Sequence, residues 1–197
     1  MKKIMLLVLV FITLAFSVYA NDVETLLSFR EIASDGTNHS IQLALMSDSF
    51  EETETLLFLD FITNAEYPDI DYITLAFGIA PEKSIKPEIL LIHVNSSKWY
   101  FLTGNIAFKF PSGMVKLNGK TDSEINSGSD LDTSVIITKG IQEINSSLIF
   151  TSPDDVIARI YTTEKGNIDF AIPAKFFQKA FSFTPYEIRS LKIEKGL

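Results

Sequence analysis

The sequence predicts an α+β domain leaning to all-β: an antiparallel sheet or sandwich of meander hairpins with one to three short helices. Three observations carry this expectation. Short β-branched and aromatic runs alternate apolar with polar residues, most clearly from residue 70 onward. Turn residues punctuate those runs at Pro111-Ser112-Gly113, Asn118-Gly119 and Glu164-Lys165-Gly166-Asn167. The clearest helical spacing, in residues 174–183, is short, with Phe177, Ala180 and Phe181 at i, i+3 and i+4.

The elements follow in chain order. Residues 27–32 and 41–46 pair across a loop containing Asp35-Gly36. Residues 48–62 read two ways. Asp48 with Glu51 forms a capping box ahead of helically spaced Phe50, Glu54, Leu57, Phe58 and Phe61. Leu57, Leu59 and Phe61 equally suit a strand, and both readings stay open. Ile73, Leu75 and Phe77 alternate with Thr74 and Ala76, and residues 89–94 form a continuous apolar run, as in a fully buried strand. Trp99, Phe101 and Thr103 face one way, and Tyr100 and Leu102 the other.

Ile106, Phe108 and Phe110 make the next strand, and residues 114–117 return from the Pro-Ser-Gly turn. Asn118-Gly119 is a favoured pair for a tight hairpin turn, because both central positions take positive φ. The polar stretch 118–134 reads as a mobile loop within the domain. Residues 137–149 are again ambiguous. Ile137, Ile141, Ile144 and Leu148 share a helical face capped by Thr138, while Gly140 weakens a helix by roughly 1 kcal/mol relative to Ala. A final hairpin places 156–162 against 168–172, and Pro173 ends its ladder because it has no N–H to give.

The first twenty residues predict export. Met1-Lys2-Lys3 is basic, residues 4–19 are apolar except Thr13 and Ser17, and Val18-Tyr19-Ala20 ends the run in the small-x-small pattern of a signal-peptidase site. A run of 16 is shorter than the roughly 20 residues needed to span a bilayer. The expectation is a signal peptide over 1–20, cleaved after Ala20, and a single β-rich exported domain over 21–197. That domain is expected to be periplasmic or extracellular, with no stable transmembrane segment after cleavage.

Composition narrows the chemistry. The 177 residues left by cleavage are enough for one proper core. There is no Cys, which excludes disulfide scaffolds, Cys nucleophiles, zinc fingers and iron–sulfur clusters. Without Lys2 and Lys3 the balance is 15 basic to 25 acidic residues, or −10. Such a charge repels nucleic acid and anionic lipid, so no nucleic-acid partner is expected.

Catalytic patterns are sparse. The two histidines, His39 and His93, are 54 positions apart with no His-x-His or HExxH spacing. His39 reads as a polar-loop residue and His93 as a strand residue with a satisfied ring nitrogen. No Ser occupies a G-x-S-x-G elbow. Asp69 with Asp71 would share a strand face and present two carboxylates for acid–base hydrolysis. Asp130 with Asp132, and Asp154 with Asp155, are also close in sequence. For Ca²⁺, an oxygen-ligated cation, the best candidate is the loop carrying Asp122, Glu124, Asp130 and Asp132. It is not an EF-hand: Gly128 falls at the seventh position instead of the sixth, and Thr133 replaces the twelfth-position Glu. Trp99 and Tyr100 are the candidate ligand contacts, through stacking on a sugar ring. Three Asn-x-Ser/Thr sequons begin at Asn38, Asn95 and Asn145.

These readings favour a non-enzymatic exported domain that binds another protein or a cell-envelope component, with no resident cofactor expected. The alternatives are a carbohydrate- or small-ligand-binding β domain and a small carboxylate-dependent hydrolase.

Overall fold

The computed structural model describes residues 22–48, 53–79, 86–125, 131–148, 155–164 and 166–196. The expected signal peptide lies outside them, as do Asp130, Asp154 and Lys165. The described residues form eleven strands and three helices: β1 (Asp22–Ile32), β2 (Asn38–Asp48), β3 (Thr53–Thr63), β4 (Ile70–Ile79), β5 (Ile89–Ser96), β6 (Leu102–Phe110), β7 (Gly113–Asn118), β8 (Lys120–Ile125), β9 (Leu131–Ile137), α1 (Ile141–Leu148), β10 (Val156–Thr162), β11 (Ile168–Ile172), α2 (Ala174–Ser182) and α3 (Pro185–Lys195). Seven strands make one sheet in the order β1-β2-β3-β4-β5-β9-β8, and four make another in the order β11-β10-β6-β7. All pairings are antiparallel, so the expected β-dominated α+β class is the one observed.

Register sorts the side chains of the large sheet onto two faces, because successive residues of a strand point opposite ways. Leu43, Phe58 and Phe77 lie in line across β2, β3 and β4, as do Leu45, Leu56 and Ile79. Leu90 and Ile137 extend the first row onto β5 and β9. These residues face the main core. Ala44, Met46, Leu57, Ala76 and Leu91 belong to the other phase and form a second, smaller buried cluster. The main cluster joins both sheets and all three helices. At its centre, Phe176 and Phe177 of α2 meet Phe58, Phe77 and Phe108 with ring centroids 5.0–5.9 Å apart.

In the ambiguous stretch 48–62, Asp48 ends β2 and 53–62 belong to β3, while Phe50 and Glu51 lie outside the described residues. β3 pairs on both sides, with β2 and with β4. Both of its phases are buried, so its apolar residues do not show a clean two-residue period. The stretch 137–149 divides at Gly140, whose φ of +78° turns the chain between the end of β9 and the start of α1. Gly140 therefore precedes the helix and does not weaken its interior.

Two expectations are corrected. Residues 118–134 are not one loop, since β8 and β9 pair from Lys120↔Ile136 to Ile125↔Leu131. β8 is an edge strand made of Lys-Thr-Asp-Ser-Glu-Ile, and an edge needs no alternating apolar face to hold its place. Asn118-Gly119 is not a tight hairpin turn either. Gly119 lacks positive φ and joins β7 of the small sheet to β8 of the large one.

α3 adds a helix beyond those expected by position. Thr184 caps it by accepting from the Glu187 amide, Glu187 answers the Thr184 amide, and Pro185 takes the first turn. Gly196 closes it in the left-handed conformation.

Candidate functional site

The expected ligand contacts separate. Both lie in the connection between β5 and β6. Tyr100 is buried in the main core. Trp99 is half-buried and stacks on Phe101 instead, with ring centroids 5.4 Å apart and planes 8° from parallel. Phe101 is 44% exposed. Beside this pair, Lys98 binds the Asp69 carboxylate at 2.8–2.9 Å. Asp71 is exposed at the start of β4, so the two carboxylates of the hydrolase reading differ in setting: one is ion-paired and one solvated.

The acidic candidates sit on β8 and β9. Asp122 lies opposite Ser134 and Glu124 opposite Asp132 in the ladder. The Asp132 carboxylate is buried and accepts from the Asn95 side chain at 2.8 Å. Asn95, one of the sequon residues, is itself buried. Among the described residues, no three His, Asp or Glu side chains gather closely enough to hold a metal ion.

His93 is a strand residue, as its apolar neighbours suggested. Its Nε2 lies 2.7 Å from an Asp132 oxygen, but the ring N–H is not aligned with it. The contact is therefore electrostatic and not a well-directed hydrogen bond. Burial pushes the His93 pKa below the ordinary histidine value, and the Asp132 carboxylate opposes that shift without overcoming it.

His39 is not a loop residue. It opens β2 with its ring fully buried. Its Nδ1 lies 2.7 Å from Asp60 Oδ2, and its Nε2 lies 2.9 Å from the Ala171 carbonyl oxygen. Asp60 belongs to the core-facing phase of β3, between Phe58 and Ile62. Its Oδ1 is buried with no hydrogen-bond partner among the described residues, and the same holds for Glu31 Oε2. Glu31 Oε1 pairs with Lys175 of α2. Burial drives the Asp60 carboxyl above its ordinary value, opposed by His39 and reinforced by the Glu31 charge.

This cluster closes the outer edge of β11. That strand pairs with β10 on one side only. On the other side, Asp35 Oδ2 accepts from the Ala171 amide at 2.7 Å while His39 takes the Ala171 carbonyl. Two residues earlier, the Tyr67 hydroxyl accepts from the Asp169 amide at 2.8 Å and donates to the Asp169 carbonyl at 3.2 Å. Three side chains thus stand where a neighbouring strand would be. Partial burial pushes Asp35 up, but the Thr37 bonds and the Ala171 amide together hold it below its ordinary value.

β1 has no such closure among the described residues. It pairs only with β2, through ten of its eleven residues, and a bulge falls at Leu26 between Thr25 and Leu27. Leu27 and Phe29 are only partly buried where they meet the main core, and Val23 is 41% exposed. No described helix is long and apolar enough to cross a membrane, which says nothing of a β-barrel. Compared with protein-family models, with curated proteins and with solved structures, the chain finds no significant match.

Proposed function

We propose that the chain is an exported, non-enzymatic interaction domain that binds a protein segment of the cell envelope by strand addition at β1. The observation that carries this reading is the open edge of β1. A long unpaired strand edge is a template for main-chain hydrogen bonding by another chain. The partly buried Leu27 and Phe29 mark where an added strand would finish covering the core. The −10 balance of residues 21–197 favours a basic partner segment.

Two experiments test it. Export is tested by the mass of the chain recovered from cells expressing all 197 residues: an N-terminus at Asn21 is expected, and a retained Met1 overturns the cleaved-signal reading. Strand addition is tested with a photo-crosslinker at Ser28→Cys, a label made unambiguous by the absence of native Cys. A discrete adduct from Ser28 on β1, absent from a matched label at Lys116→Cys on β7, is expected. Equal adducts from both sites, or none, sink the reading.

A second reading rests on the Trp99–Phe101 stack, a partly exposed aromatic pair of the kind that stacks on sugar rings. Trp99 is the only Trp, so its fluorescence reports directly on that surface. No spectral change across a sugar panel removes this alternative.

A further inference from the structure

We propose that His39 and Asp60 form a one-proton latch that ties the Ala171 carbonyl of the edge strand β11 to the large sheet and releases that carbonyl when their shared proton is lost. A carbonyl oxygen only accepts, so the 2.9 Å contact with Ala171 requires a hydrogen on His39 Nε2. Nδ1, 2.7 Å from Asp60 Oδ2, then either donates to a carboxylate as part of an imidazolium or accepts from a carboxylic acid. The pair is neutral in both forms, with one proton between the two atoms.

Removing that proton leaves no arrangement that keeps both bonds. With the remaining hydrogen on Nε2, the Nδ1 lone pair faces an ionised carboxylate. With it on Nδ1, the Asp60 bond survives and the Nε2 lone pair faces the Ala171 carbonyl. The second form keeps a donor on the ionised carboxylate, and it breaks the His39–Ala171 bond between the sheets. Both side chains are fully buried, so bulk water does not stand in for the lost partner.

The other charged groups around the pair are Glu31 from β1, Asp35 from the β1–β2 turn and Lys175 from α2. Lys175 is committed to Glu31. Asp35 holds the Ala171 amide. An uncompensated negative charge on Asp60 would face those acidic neighbours, with Oδ1 lacking a donor. The site therefore holds its proton against rising pH.

The direction of the pH effect follows from proton counting. Folded, the pair holds one shared proton in addition to Nε2–H. Unfolded, the two groups hold the equivalent proton only up to about pH 6.5 and lose it above. The stability contributed by the shared proton is present below about pH 6.5. It is lost as pH rises through the folded pair's own value. Opening is thus an alkaline event. It frees the Ala171 carbonyl, one residue before Ile172 and Pro173 lead into α2.

The test uses the full chain and its two histidines. Ring ¹⁵N spectra, assigned with His93→Gln, are followed with pH. A protonated Nε2 on His39 at neutral pH is expected, with one transition on the alkaline side. In urea unfolding, the wild type should lose up to about tenfold in folding constant per pH unit across the alkaline range, as one proton demands. In Asp60→Asn, the side-chain amide donates to Nδ1 while Nε2–H stays on Ala171. That variant keeps both bonds without a titrating proton and should lose this slope. An unprotonated Nε2 at neutral pH, or an unchanged slope in Asp60→Asn, overturns the latch. Should Asp60→Asn not fold, the wild-type ring spectra alone decide.

Discussion

The Gly119 amide donates to the Gly104 carbonyl at 2.9 Å, at the point where the chain leaves the small sheet for the large one. A Cβ on Gly119 would lie 2.4 Å from the Ile136 carbonyl oxygen and 2.7 Å from Val135 Cγ1. One on Gly104, where φ is +82°, would lie 2.6 Å from the Gly119 oxygen. Close backbone approach, and not turn chemistry, is what calls for glycine at 119. Gly119→Ala should therefore destabilise by about 1–3 kcal/mol, the usual range for overpacking. The check is a lowered urea midpoint at unchanged m, with the exposed substitution Lys116→Ala as a near-neutral control.

Phe177 is the side chain on which the sheets and helices converge. Its ring meets Phe77, Phe108, Phe110 and Phe176 edge-on, with centroids 5.3–6.0 Å away. Phe177→Ala removes all four ring contacts and leaves a cavity that rigid strands cannot collapse. A loss of about 3–5 kcal/mol is expected. Phe181, partly buried and touching Phe77, should cost less on the same truncation. Equal losses at the two positions would show that α2 does not anchor through Phe177.

Thr184 predicts a smaller, local effect. It supplies the cap of α3, and Glu187 returns the bond. Only Ile188 of α3 is fully buried, so packing does little to hold the first turn without its cap. Thr184→Ala should cost about 1 kcal/mol. Faster amide exchange in residues 186–188, with the strands unchanged, is the readout.

Of the strands legible in the sequence, β6 and β10 showed themselves by burying one phase more than the other, whereas β5 showed itself as a continuous apolar run and is buried throughout. β6 sets Ile106, Phe108 and Phe110 against exposed Asn105 and Lys109, and β10 sets Val156, Ala158 and Ile160 against exposed Ile157 and Arg159. β3 hid because a strand paired on both sides and buried on both faces carries apolar residues at every spacing. β8 hid because a polar edge strand looks like a loop. Asp60 had a usable signal, a charge in the same phase as Leu56, Phe58 and Ile62, but it becomes visible only once β3 is taken as a strand. Its link to His39 and Ala171 was out of reach, since those residues are brought together by pairings that span 21 and 132 positions. The α3 signature was present as Thr184-Pro185-Tyr186-Glu187. It was muted by the thin apolar stripe that follows.

His93 gives the acid-side counterpart of the latch. Burial keeps its folded pKa below the ordinary value of about 6.5, so the unfolded chain binds its proton first as pH falls. Its contribution to stability is present above about pH 6.5 and is lost as pH drops through the folded value, by about tenfold per pH unit at most. Asp60, whose carboxyl burial holds above its ordinary value, adds no decline in this direction, because such a group gains stability as pH falls. Asp35 and Glu187, whose carboxyls are held below their ordinary values, act at more acidic pH. The decline between pH 6.5 and 5 therefore belongs to His93 among the shifted groups. Urea midpoints measured across that window should fall for the wild type and stay level for His93→Gln. A variant that falls in parallel with the wild type would mean that the Asp132 carboxylate, 2.7 Å away, holds the imidazolium after all.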